Sequence, residues 1–288
     1  MLELMEKIDY NIQNLINENY EIYEIIGEGH SGTVFKGKNI KNEIIAIKVI
    51  KKSYTTEEKI KKESDILKEL NHQNVIKLFD VIELNNAICL ITEYANLGDL
   101  FDYIPSDGFS TSISSAIIRQ INLGLLYIHS KNIVHRDIKL ENILCFSNEN
   151  NNIIIKIADF GLSKIITEPS FASMCGSIEY CAPEILLSQK YDKKADCWSF
   201  GILCYVILTG CLPFTSYYNN YNYQSIQNII NNSIIWPENC NSIAHNFVTL
   251  LLKKLPIERS CCDELSSHPF ISVFSELKLN TQNKKFYI

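Results

Sequence analysis

The tightest constraint on how this chain can fold sits in eight consecutive residues, His135-Arg136-Asp137-Ile138-Lys139-Leu140-Glu141-Asn142. They carry two carboxylates, two cations and an amide, yet apolar runs at 121–128 and 143–144 flank them. Charged groups are costly to bury unpaired, so a polar cluster between two buried segments has to be a loop pinned to a core. Such a loop can present Asp137 as a proton acceptor, with Lys139 and Asn142 aimed at one small volume. Taken alone, the same pattern also fits a solvated charged loop. The rest of the chain has to decide.

The chain has 288 residues, enough for one large domain or two smaller lobes. A formal net charge of -6 argues against a surface built for nucleic acid, which needs clustered Lys and Arg, and suits basic peptides better. The ten cysteines form no C-x-x-C pair, and no secretory leader is recognised. Reduced thiols in an intracellular, cytoplasmic protein are the expectation. Cys197, Cys204 and Cys211 recur every seven residues, near one helix face. They read as small buried side chains more readily than as a metal site. No apolar run reaches the ~18 residues of a membrane span.

Residues 1–19 place Met5, Ile8, Ile12, Leu15 and Ile16 on one face of an expected short amphipathic helix, which would cap the domain that follows or dock a partner. From Tyr20 the pattern is strand-like and runs into Gly27-Glu28-Gly29-His30-Ser31-Gly32-Thr33-Val34, with further strands at 34–38 and 43–50. A dinucleotide-binding G-x-G-x-x-G opens into a helix, whereas this one sits in a strand-turn-strand hairpin. Its glycines let backbone N–H groups approach phosphates. A ligand-free glycine turn has the same pattern.

Lys48 stands inside the apolar third strand, where a cation needs a partner or must reach for solvent. The helix expected over 55–70 turns Ile60, Ile66, Leu67 and Leu70 inward and carries Glu63, the natural counter-charge. Strands are expected at 75–84 and 88–94. The polar, glycine-bearing break Ala95-Asn96-Leu97-Gly98-Asp99-Leu100 marks a boundary, and a long helical pattern occupies 112–130. Short strands at 143–144 and 153–157 precede Asp159-Phe160-Gly161.

Taken in order, Gly27-x-Gly29-x-x-Gly32-x-Val34, Ala46-x-Lys48, His135-Arg136-Asp137 with Asn142, Asp159-Phe160-Gly161 and Ala182-Pro183-Glu184 resemble the eukaryotic protein kinases. The resemblance covers about residues 20–272. Asp196-Cys197-Trp198-Ser199-Phe200-Gly201 looks like the start of that family's central buried helix. Arg259 stands where an arginine pairs with the glutamate of Ala-Pro-Glu, here Glu184. Leu67, Leu78, His135 and Phe160 fall where the family stacks an apolar spine. Lys139 follows the serine/threonine pattern. Glu93-Tyr94-Ala95, Gly98-Asp99-Leu100-Phe101-Asp102, Cys175-Gly176-Ser177, Leu208-Thr209-Gly210 and Pro213-Phe214 are most similar to the calcium/calmodulin-dependent and AMP-activated group.

The resemblance implies an α+β, bilobal fold. A β-rich lobe with one main helix would span about 20–94, a larger helical lobe about 95–272, and a short tail 273–288. It implies transfer of the γ-phosphoryl group of ATP to serine or threonine hydroxyls of protein substrates. Gly27, Gly29, Gly32 and Val34 would cover the phosphates, Lys48 would hold them and Glu63 would fix Lys48. Asp159 and Asn142 would bind Mg2+, Asp137 would take the hydroxyl proton, and Lys139 would neutralise the γ-phosphate. Ile26, Val34, Ala46 and Leu144 would enclose adenine, the hinge Glu93 to Ala95 would hydrogen-bond it, and Thr92 would bound the pocket's back. Asp99 and Glu141 would meet ribose or basic substrate side chains.

Within the activation segment 159–184, Ser173 is the expected phosphoacceptor for an upstream kinase, with Thr167 and Ser170 as alternatives and Arg136 as the phosphate's partner. Three positions depart from the family's habit: Ser31 replaces an aromatic residue, Ile178 a proline and Ser177 a threonine, whose hydroxyl can still reach Asp137. Lys284 and Lys285 lie in the tail, which shows no basic amphipathic helix for calmodulin. The competing readings are a pseudokinase acting as an ATP-binding interaction module and a small-molecule kinase. The presence of Lys48, Glu63, Asp137, Asn142 and Asp159 speaks against the first, and Ala182-Pro183-Glu184 against the second. Oligomeric state is not legible.

Overall fold

A computed structural model describes residues 19–29, 32–53, 56–171, 177–214, 223–273, 275–280, 282 and 285–288. The expected helix within 1–19, the turn residues His30 and Ser31, the expected phosphoacceptor Ser173 with Cys175 and Gly176, and Lys284 lie outside the described residues. The chain divides into two compact units. The first takes its residues up to His72 together with Ile76–Ala95, and the second takes Gln73–Val75 and Asn96–Ile288.

The first unit is a five-stranded antiparallel sheet. Its strands are β1 (Tyr20–Gly29), β2 (Gly32–Asn39), β3 (Ile44–Lys51), β4 (Leu78–Glu83) and β5 (Ala87–Glu93), in the order β1-β2-β3-β5-β4. Strict alternation in β3 puts Ile45, Ile47 and Val49 on one face, where they join Phe35, Cys89 and Ile91 in a buried cluster. Ala46 and Lys48 face the other way. Among the described residues, one helix, α1 (Glu57–Glu69), accompanies the sheet. Acidic residues open it and Lys68 closes it, in keeping with the helix dipole. Gly32 has φ +132°, and a Cβ there would collide with the carbonyl of Val49, so the return of the glycine turn tolerates no side chain.

The fourth strand was expected to begin at 75, but it begins at Leu78, and Val75 makes a parallel bridge to Ile157 in the second unit's own β-structure. Hydrophobic alternation cannot show that a strand-like residue pairs elsewhere.

The second unit is mainly helical. The buried helices α2 (Thr111–Ser130), α4 (Lys194–Thr209) and α6 (Ser242–Leu251) form its core, with Trp198, Phe200 and Phe247 among its largest buried side chains. The short helices α3 (Pro183–Leu186), α5 (Tyr223–Asn231) and α7 (Pro269–Ser272) complete it. Between α2 and α4 lie the strand pairs β6 (Ile133–Val134) with β9 (Lys164–Ile165), β7 (Ile143–Ser147) with β8 (Ile153–Ile157), and β10 (Ser170–Phe171) with β11 (Lys190–Tyr191). Helix α4 is apolar all round, as a helix surrounded by protein must be, and ends at Gly210 with φ +73°.

Glu184 and Arg259 are tied by two contacts, of 2.6 and 2.9 Å. Arg259 also donates to the carbonyls of Lys194 and Lys253. Strands β12 (Lys278–Asn280) and β13 (Lys285–Tyr287) form a hairpin whose Phe286 ring stacks on Tyr103 at 4.7 Å and on Phe109 at 5.8 Å. Among the described residues no helix is long and apolar enough to cross a membrane.

Candidate active site

Antiparallel register decides which residues share a face of the sheet. Val34 pairs with Lys48, Gly27 with Val34, Ala46 with Thr92 and Lys48 with Leu90. Gly27, Val34, Ala46, Lys48 and Thr92 therefore lie on one face, with Leu90, which sequence reasoning passed over. Lys48 Nζ is 2.8 Å from Glu63 Oε1, and both side chains are largely buried. Glu63 falls on the buried stripe of α1 between Ile60 and Leu67, a place that carries a carboxylate only when it has a partner. Ile26 is 43% exposed and follows the irregular register of β1. Glu93 uses its carboxylate locally, accepting from the backbone N–H of Lys77 at 2.7 Å.

In the second unit the loop at 135–142 hangs from one carboxylate. Asp196, in the first turn of α4, accepts from the backbone N–H groups of His135 and Arg136, both at 2.8 Å, and contacts His129 Nε2 at 2.9 Å. It is fully buried, yet its carboxyl sits below the ordinary value: burial pushes it up, and the hydrogen bond and charge of His129, the His135 ring and its backbone N–H outweigh that push. Sequence reading placed Asp196 only at a helix start. A donor set 60 residues away in sequence leaves no local signal.

Backbone strain sits at the same place. Arg136 has φ +69° and Asp159 φ +62°, left-handed conformations that cost a side-chain-bearing residue about 1–3 kcal/mol. The Arg136 guanidinium donates to the carbonyl of Leu162 and approaches the Tyr191 hydroxyl at 3.4 Å. His135 is buried, and its Nε2 lies 3.0 Å from the carbonyl of Ala158. A carbonyl can only accept, so that nitrogen carries the proton and Nδ1 accepts from the N–H of Asp137. Burial lowers the His135 pKa and keeps the ring neutral. Its edge meets Phe160 at 4.8 Å. Of the four spine residues, Leu67 and Leu78 belong to the sheet unit, and His135 and Phe160 to the helical unit.

The loop brings Asp137, Lys139 and Asn142 together. Asn142 Nδ2 donates to the backbone oxygen of Asp137 at 2.7 Å and to its Oδ2 at 2.8 Å. Lys139 Nζ lies 2.9 Å from the same Oδ2. Lys139 also donates to Ser177 Oγ at 3.2 Å. The Ser177 hydroxyl, which the sequence allows to reach Asp137, is joined to it through Lys139, the donor to both. Ile178 opens the turn Ile178–Tyr180 without breaking it.

Asp159 accepts from the N–H of Gly161 at 3.4 Å, and Ala158 N–H donates to the carbonyl of Asn142 at 2.9 Å, so the two segments are stitched side by side. Leu144 lies on β7, bridged to Asp99. Asp99 caps the turn at Phe101–Tyr103, and burial, helped by Asp102, raises its pKa. Glu141 is exposed between the buried Leu140 and Asn142.

Carboxylate and amide oxygens are hard donors of the kind Mg2+ takes. With its nitrogen turned to Asp137, Asn142 keeps its oxygen as the remaining donor. Asp159 adds a carboxylate, so the donor chemistry fits a magnesium ion.

The pattern of the family described as "Protein kinase domain" matches residues 20–271. A probable myosin light chain kinase of Dictyostelium discoideum is 33% identical over 94% of this chain and 71% of its own length. The probable serine/threonine-protein kinase MARK-A of the same organism is 36% identical over 91% of this chain, which spans 25% of it. The serine/threonine-protein kinase ATG1b of Arabidopsis thaliana is 35% identical over 88% of this chain, which spans 36% of it. This chain belongs to the protein kinase domain family, and its relatives make it a protein serine/threonine kinase, a class that uses ATP and Mg2+.

Proposed function

We propose that the chain transfers the γ-phosphoryl group of ATP to protein serine and threonine hydroxyls near basic residues, under the control of Ser173. The observation that carries this reading is the Asp137 carboxylate, held by Asn142 and Lys139 on a loop anchored to Asp196. Asp137 orients the acceptor hydroxyl and takes its proton. Lys139, already 2.9 Å from that carboxylate, is the cation for the transferring phosphoryl group. Lys48, fixed by Glu63, binds the phosphates nearer the nucleoside. Asn142 and Asp159 would hold Mg2+, which would supply positive charge to neutralise the phosphates. Ile26, Val34 and Ala46 are the sheet unit's apolar contacts for adenine, and Thr92, being small, leaves room for inhibitors that reach past it.

Support for a basic substrate preference is compositional: Asp99 and Glu141 join a chain of net charge -6. Arg136, beside the catalytic aspartate, is the guanidinium that a phosphate on Ser173 would meet.

The test is phosphotransfer from Mg-ATP to a degenerate Ser/Thr peptide set, with Asp137→Asn and Asp159→Asn beside the wild type. Loss of the proton acceptor should slow transfer by ~10²–10⁴. Equal rates in all three proteins would overturn the assignment, and nucleotide binding without transfer would favour the pseudokinase. Ser173→Ala should lower activity after treatment with an upstream kinase, and unchanged activity would remove Ser173 from the scheme.

A further inference from the structure

The helical unit buries a second group of chemistry-bearing side chains that phosphoryl transfer does not use. Cys197, on α4, and Cys262 are 65 residues apart in sequence, yet their sulfurs are 3.8 Å apart. His129, near the end of α2, joins them, so that a ring nitrogen and the two sulfurs all lie within 4.8 Å of one another. All three residues are buried.

We propose that His129, Cys197 and Cys262 form a buried zinc site in the helical unit. The sulfur spacing suits a shared cation better than a disulfide. Tetrahedral zinc with Zn–S bonds of about 2.3 Å sets neighbouring sulfurs about 3.8 Å apart. The observed separation is 3.8 Å, which matches that spacing. A disulfide would require the sulfurs to close to about 2.0 Å.

Charge balances as well. Two thiolates neutralise one divalent ion and imidazole binds neutral, so the ion enters the core without net charge, and the two displaced thiol protons leave to solvent. Sulfur and imidazole nitrogen select zinc over magnesium, which separates this site from the oxygen donors at Asp137, Asn142 and Asp159.

The surrounding shell fits the same assignment. His129 Nε2 is 2.9 Å from Asp196 Oδ2, which leaves Nδ1 as the ring atom for the metal. A carboxylate behind a ligating histidine fixes the ring and raises its basicity. That carboxylate is the one that receives the N–H groups of His135 and Arg136, so metal occupancy would stiffen the anchor of the catalytic loop. Of the heptad-spaced thiols, only Cys197 takes part. Cys204 is buried elsewhere on α4, and Cys211 is exposed beyond its end.

The experiment is a Co2+ titration of the metal-free full chain in excess Mg2+, read by absorption. The expected result is a thiolate-to-cobalt charge-transfer band with tetrahedral ligand-field bands, saturating at a single equivalent and erased by Zn2+. Cys262→Ala should abolish the band. Cys89→Ala, in the sheet unit, should keep it. Asp196→Asn should weaken binding by about 10–100-fold. No thiolate band in the wild type would overturn the proposal whatever the variants do, as would bands of octahedral cobalt alone or a Cys262→Ala protein that binds like the wild type.

Discussion

Two buried ion pairs, one in each unit, show how the same chemistry serves different ends. Glu184 and Arg259 are almost wholly removed from solvent, at 2% and 0% side-chain exposure, and meet through two contacts. Arg259 spends its remaining donors on backbone carbonyls, so no part of the pair is left for a ligand. Lys48 and Glu63 meet at 2.8 Å, and the lysine keeps 14% exposure on the sheet face that carries Val34, Ala46 and Thr92. The first pair locks three distant segments by geometry. The second holds a cation in place while leaving it accessible. Saturation of donors marks a structural pair, and residual access marks a functional one.

Replacing one partner of each pair should separate the two roles. The largest effect belongs to Arg259→Met, which strands Glu184 in the core and should lower unfolding stability by about 3–5 kcal/mol. Urea titration of the purified chain measures it. A loss under about 1 kcal/mol would erase the distinction, because exposed pairs already contribute that much.

Next comes Lys48→Met, which should reduce phosphotransfer by ~10²–10³ through loss of one charge-stabilising donor. Its urea midpoint should stay closer to wild type than that of Arg259→Met. If Lys48→Met destabilises more than it slows the reaction, the pair is structural after all.

The smallest effect concerns a buried group that stays neutral. Burial lowers the pKa of His135 from 6.5, so the unfolded chain binds a proton that the folded chain refuses. The folded state is therefore fully favoured above pH 6.5 and loses stability as pH falls below it, by at most about 1.4 kcal/mol per pH unit from this one group. Thermal unfolding compared at about pH 7.5 and about pH 5.5 should show the decline, and His135→Phe should show less of it. Equal slopes in both proteins would assign the pH dependence to other groups.

Much of this was legible in the sequence, for a physical reason. Lys48 in an apolar strand and Glu63 on an apolar helix stripe are each costly alone, so each announces the other. The octet at 135–142 is legible on the same grounds, since charge between two buried runs must be held by something. What held it was not legible: Asp196 reads as one more residue of a helix start. The hairpin of β12 and β13 escaped because three-residue strands carry too little periodicity, and its anchor, Phe286, packs on rings at Tyr103 and Phe109. The meeting of Cys197 with Cys262 was hidden by the heptad of Cys197, Cys204 and Cys211, a regular spacing that draws the eye along one helix and away from the contact between segments. Spacing likewise cannot show that Lys139 joins Ser177 to Asp137.

The single carboxylate under the catalytic loop has an effect on how variants of this protein will present. Asp196 is at once a residue of the core helix and the acceptor that sets where His135 and Arg136 begin. A change of packing around α4 that shifts this acceptor by a few tenths of an ångström moves Asp137 with it. Such a change could leave melting temperature and expression untouched and still appear as an inactive enzyme. Screens that sort variants by solubility would pass it, and only a turnover assay would reveal the defect.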